Sequence, residues 1–159
     1  MCLSKLFRKH DHDFDPDDYE EPKSTLKKIE TFERITITES GMRFHVEYEV
    51  LNKGDKAEVS LYDIRFGHGD EEDKRILRER GEIEMSSFMD TLKKCSVASW
   101  DHFDGPHPKN IKDGTMFRLV AIVNDGYRMY AHGSQNFPRH YHEFHDVLRQ
   151  ALHKIDISE

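Results

Sequence analysis

Between Met116 and Ser134 two runs of strand-forming residues flank the tripeptide Asn124-Asp125-Gly126, and this arrangement limits the fold more than any other feature. Glycine reaches positive φ without steric cost and Asn and Asp tolerate it, so the tripeptide predicts a tight β-hairpin. Phe117, Leu119, Ala121 and Val123 alternate with Met116, Arg118, Val120 and Ile122 on its first arm. That arm is apolar on much of both faces, which predicts a central strand. The second arm, Tyr127–His132, runs on through Gly133-Ser134-Gln135-Asn136-Phe137-Pro138. Beyond it Tyr141, Phe144, Leu148, Leu152 and Ile155 recur at helical spacing. Asn136 is the predicted cap of that helix, and Pro138 suits a first turn, where a missing N–H costs nothing.

The upstream half reads as a run of strands. Phe32, Ile35 and Ile37 lie in a Thr-rich segment that ends at Ser40-Gly41, a turn. Phe44, Val46, Tyr48 and Val50 then alternate with His45, Glu47 and Glu49, the period of a half-buried strand. Asn52-Lys53-Gly54-Asp55 predicts a hairpin turn into a strand carrying Val59 and Leu61 on one side and Tyr62, Ile64 and Phe66 on the other. Gly67 and Gly69 with Asp70–Asp73 predict an exposed loop, and Lys74–Glu84 a fourth, peripheral strand. From Met85 the period changes: Met85, Phe88, Met89 and Leu92 share a helical face, with Cys95 at its margin and Ser86 or Ser87 as cap. Trp100 is expected to plug the end of the sheet under this helix; stacking on a ligand is the alternative. The predicted fold is α+β, a two-layer sandwich whose antiparallel sheet of about five to six strands carries two helices on one face, in the order ββββαββα.

At 159 residues the chain has a single-domain length. Residues 1–23 are predicted to be a disordered acidic tail and residues 24–159 a single α+β domain. Asp11, Asp13 and Asp15 have the spacing of a calcium loop, but Pro16 and Pro22 stand where that loop needs its Gly and its bidentate Glu. Leu3, Leu6 and Phe7, with Cys2 as an acylation point, make only one turn of a basic anchor. The net charge of −7, from 31 acidic and 24 basic residues, opposes binding to a phosphate backbone and predicts no nucleic-acid partner. It favours solubility or a protein partner with a basic surface. Two cysteines, Cys2 and Cys95, cannot build a structural zinc site alone. No stretch of about 18 apolar residues exists, so no membrane span is predicted. With no secretory leader at the start, the expected location is cytoplasmic.

The chemical candidates centre on His140-Tyr141-His142-Glu143-Phe144-His145. The second histidine comes one residue too early for a His-Glu-x-x-His zinc helix. On a helix His142 and His145 lie about 60° apart and can share a metal, with His132 or His102 as a third ligand. Solvent-facing histidines are the competing reading. Ser134 lacks the Gly-x-Ser-x-Gly elbow, and Asp104 and Asp113, each before Gly, read with Asp101 as turn residues rather than paired acids. No phosphate-cradling glycine loop is present. No catalytic residue is assigned and no cofactor is expected. The 11 histidines give a potential pH response: charging all of them adds 11 to −7 and yields +4.

Trp100, Asp101, Phe103, Asp113, Gly114, Phe117, Asp125, Gly126, Gly133, Ser134, Asn136 and Pro138 together resemble a family of small uncharacterised α+β domains of Firmicutes. Its members share a Trp-Asp, an Asp-Gly before an aromatic strand, and a Gly-Ser-x-Asn-x-Pro before the last helix. The likeness is densest from Trp100 onward and looser back to Phe32. It implies a fold and no activity. The functional expectation is a non-enzymatic interaction domain that binds a protein partner. A metal-dependent hydrolase using the C-terminal histidines and a pH-responsive binding module are the alternatives.

Overall fold

In a computed structural model that describes residues 25–155, the upstream alternating runs become four strands: β1 (Phe32–Ser40), β2 (His45–Asn52), β3 (Lys56–Arg65) and β4 (Lys74–Glu84). Helix α1 (Met85–Lys94) follows β4 directly, and a short 3₁₀ turn covers Val97–Trp100. Then come β5 (Asp104–Gly105), the hairpin of β6 (Met116–Val123) and β7 (Tyr127–Ser134), α2 (Tyr141–Ala151) and β8 (His153–Lys154). The predicted tail, residues 1–23, lies outside the described residues.

All these strands join one sheet, in the order β5-β7-β6-β1-β2-β3-β4-β8. Every neighbouring pair is antiparallel except β5 with β7. Of the described residues 44% lie in strands and 19% in helices, so this is a mostly-sheet fold. The expected antiparallel sandwich of about five to six strands is therefore corrected to an eight-stranded mixed sheet. The physical reason lies at the edges. β5 and β8 are two residues each, too short to carry a periodic signal. They form because passing chain meets an open edge: Asp104 and Gly105 pair with His132 and Gly133, and His153 and Lys154 with Arg80 and Glu79. Both cover backbone groups that would otherwise stay unpaired.

The hairpin turn has the predicted chemistry, with φ of 48°, 60° and 111° at Asn124, Asp125 and Gly126. Asn124 also fastens the incoming chain, accepting from Glu30 N and Thr31 N and donating to Lys28 O. One core cluster joins inward sheet residues such as Ile35, Ile37, Val50, Val59, Leu119 and Met129 to Phe88 and Leu92 of α1 and Phe144 and Leu148 of α2. Trp100 is buried in it; its indole N–H donates to Arg139 O and its ring meets Phe144 edge-on at 5.5 Å.

Three local expectations differ from the structure. Asn136 does not cap α2, because its side chain donates to Pro106 O and the helix starts later, after His140 at φ 65°. Glu84 occupies the cap position of α1, with Ser86 donating to its carboxylate. Ile155 lies beyond the helix, where its N–H pairs with Arg78 O.

Candidate functional site

Helix α2 crosses the sheet from the β6–β1 side to β4, and its position sets one polar seam. Tyr141, His145 and Arg149 follow at i, i+4 and i+8, so they form one line along the helix. Tyr141 donates to Glu39 Oε1 at 2.7 Å, and His145 Nε2 stands 3.0 Å from the same oxygen. That nitrogen is fully buried and has no formed hydrogen bond, so its approach to Glu39 is a close contact. Arg149 Nη1 donates to the Tyr48 hydroxyl at 3.1 Å. The rings of Tyr48 and Tyr141 flank His145, at 4.9 and 6.2 Å between centroids.

Glu39 is the unexpected member. It continues the inward phase of Ile35 and Ile37 on β1, so a carboxylate takes the next core-facing position. Burial works to raise its pKa, but His145 and Tyr141, with the charge of His142, outweigh burial and hold it below the usual value. Burial first, then the Glu39 carboxylate, drives the Tyr141 phenol far upward, so it remains a protonated donor. Beside this pair lies a cavity of about 180 Å³ lined by Glu39, Thr115, Gln135, Phe137, Tyr141, His142 and His145. Cavities that take a drug-sized ligand run to about 300–1,000 Å³, so this one suits only a small group or the tip of a side chain.

The sequence candidates fall in different places. His142 and His145 both border this cavity. His132 is on the opposite, exposed face of β7, with Nδ1 3.6 Å from Asp104 Oδ1. His102 lies 3.5 Å from Asp101. Among the described residues no three His, Cys, Asp or Glu side chains gather as a metal site. Asp101 is completely buried, where it accepts from Tyr130 N at 3.2 Å and from the Tyr127 hydroxyl. Ser134 does have a base beside it: its Oγ is 2.8 Å from His107 Nδ1, whose other nitrogen meets Ile111 O. Neither residue borders the cavity, and the contact ties the loop after β5 to the end of β7.

The same end of the sheet is apolar at its surface. Among the described residues seven large apolar side chains are exposed, and five of them lie toward this end: Met42, Phe44, Phe66, Ile111 and Met116. Met42 and Phe44 sit in the β1–β2 turn, Phe66 follows β3, and Met116 opens β6. Ser40 pairs with both Met116 and His45, and His45 meets the Phe66 ring at 4.8 Å, so the residues form one rim. The alternation of β6 puts Met116 on the outward phase with Arg118, whereas Met42, Phe44 and Phe66 lie outside the strands, where alternation gives no signal.

A larger cleft, about 910 Å³, lies between α1 and the segment Leu26–Glu30. The outward face of the sheet carries a charge lattice in which Arg75 reaches Glu47 at 2.6 Å and Glu49 at 3.5 Å, and Arg34 reaches Glu49 at 3.8 Å. Such pairs belong to a solvated face and contribute little each. No helix among the described residues is long and apolar enough to cross a membrane. No family model, curated protein or solved structure matches this chain.

Proposed function

We propose that this protein is a non-enzymatic interaction domain that binds a protein partner through the rim formed by Met42, Phe44, Phe66, Ile111 and Met116. The observation that carries this reading is that, among the described residues, five of seven exposed large apolar side chains lie toward one end of the sheet. Single exposed apolar residues are ordinary, but several at one end of a sheet favour an interaction surface. Met42 is 84% exposed, Phe66 61% and Met116 56%, so these three hold most of their area ready for a partner. The acidic run Asp70–Asp73 lies just beyond Phe66, which suits a partner with basic residues around an apolar centre.

The test is affinity capture from a lysate of the producing cell at low salt. It compares the wild type with a triple variant, M42S/F66S/M116S, and with Tyr130→Ser, an exposed change outside the rim. Capture of the same protein by the wild type and Tyr130→Ser, and not by the triple variant, is the expected result. Equal recovery by the triple variant, or no recovered protein, overturns the reading.

A further inference from the structure

The geometry points to the cavity beside Glu39 as a binding site for a primary ammonium, which the partner supplies as a lysine side chain. The site and the apolar rim share one end of the fold. Glu39 and Thr115 line the cavity, while the residues that follow them, Ser40 and Met116, pair across β1 and β6 at the rim. A partner that lies over the β1–β2 turn is therefore at the end of the sheet where the cavity lies. The docking reading above supplies only the source of the ammonium; the site itself stands on its own residues.

Its lining fits a cation. Glu39 contributes a carboxylate that its neighbours keep ionised. The two polar contacts described for it, from Tyr141 and His145, both fall on Oε1. Carboxylate oxygens have about four acceptor sites between them, so capacity remains for an N–H donor. Phe137 and Tyr141 stack at 4.9 Å with 28° between their planes and form the apolar wall along which the methylenes beside an ammonium can lie. Gln135 accepts from Thr115 N through Oε1, and its amide fixes that side of the mouth. An anion entering here meets the Glu39 charge, and an uncharged alkyl tip leaves that charge without a partner. At about 180 Å³ the space takes an ammonium with its adjoining methylenes and excludes a nucleotide or a drug-sized molecule.

The experiment is an amide NMR titration of the full chain at pH 8, read at Thr115, Gln135, Phe137 and His142. The probes are n-butylammonium, butyrate, a pentapeptide with Lys between leucines, and the same peptide with acetyl-lysine. Saturable shifts with butylammonium and none with butyrate are expected, and Glu39→Gln abolishes them. The Lys peptide should bind about tenfold tighter than its acetylated form, the size of one charge-assisted contact. Equal response to butylammonium and butyrate, or equal affinity of the two peptides, overturns the proposal; the second comparison needs no variant, so a poorly folded Glu39→Gln does not rescue it. The M42S/F66S/M116S variant separates the two readings. If it keeps butylammonium binding and full peptide affinity, the ammonium site stands and docking at the rim fails. If it loses the peptide while acetylation makes no difference, the rim stands and the ammonium site fails.

Discussion

Glu39 on β1 and Tyr141 on α2 are separated by 102 residues in sequence and meet at 2.7 Å, phenol oxygen to Oε1. The contact joins the sheet to the helix that crosses it, at a point where the core-facing row of β1 turns from isoleucine to carboxylate. A largely covered carboxylate there is stabilised by the donor the helix brings.

Tyr141→Phe removes that donor and keeps the ring. Hydrogen bonds to charged groups contribute about 1.5–3 kcal/mol, and a loss of that order is expected in urea unfolding. The Glu39 pKa should also rise, because the Tyr141 contact is one of the causes that lower it. A carboxyl carbon shift titration measures this. An unchanged Glu39 midpoint in the variant contradicts the assignment.

Acid sensitivity follows from the same residue, with a definite sign. Glu39 is depressed in the folded state relative to its usual value of 4.5. The stability it contributes is therefore complete above 4.5 and disappears as pH falls through the lower, folded value. Glu39→Gln, neutral at every pH, lacks that part of the acid limb. Thermal midpoints of the two proteins should differ most above pH 5 and converge toward pH 3. Parallel pH profiles would show that Glu39 carries no such linkage.

How far the sequence revealed this arrangement depends on the kind of signal each part leaves. The alternation of Val46, Tyr48 and Val50 and the stripe of Tyr141, Phe144 and Leu148 are visible because burial repeats at a fixed period; all are buried except Val46, which is partly buried. Asn124-Asp125-Gly126 is visible because positive φ selects its residues. β5 and β8 left no trace, since pairing at an edge depends on where the chain passes and not on side-chain type. Of the candidate site, His142 and His145 were found from helical spacing, whereas Glu39 was missed. Its signal was its phase, two residues after Ile37, which a charged residue in a Thr-rich strand does not advertise. His145 stands 3.0 Å from the Glu39 carboxylate, a neighbour that helical spacing alone does not reveal.

Asp101 read as a turn residue and proves to be completely buried. Replacing it with Ala leaves the Tyr130 N–H without its acceptor in a part-buried position, at a cost of about 1–3 kcal/mol. Tyr127→Phe removes only the donor at the exposed rim of the same contact and should lower the thermal midpoint less than Asp101→Ala. The reverse order would mean that the hydroxyl, and not the backbone amide, is what Asp101 holds.

Two glycines separate the effects of space and backbone angle. A Cβ on Gly81 would stand 1.7 Å from Ala151 O, where the end of α2 passes over β4. The obstacle is backbone, so Gly81→Ala must lift the last turn of α2 from the sheet. Next to it, Arg80 pairs with His153, so the β4–β8 pairing should loosen as well. A Cβ on Gly126 meets nothing within 4 Å, yet φ there is +111°. Gly126→Ala therefore costs only the strain of that angle, about 1–2 kcal/mol, and leaves α2 untouched. Overpacking in a filled site costs about 1–3 kcal/mol, and the Gly81 change should reach or exceed the upper end because no side chain can move aside. Hydrogen exchange distinguishes them: Gly81→Ala should speed exchange at Leu152 and Arg80, and Gly126→Ala should lower global stability without doing so. Equal protection of Leu152 in both variants would place the end of α2 farther from β4 than a single methyl group.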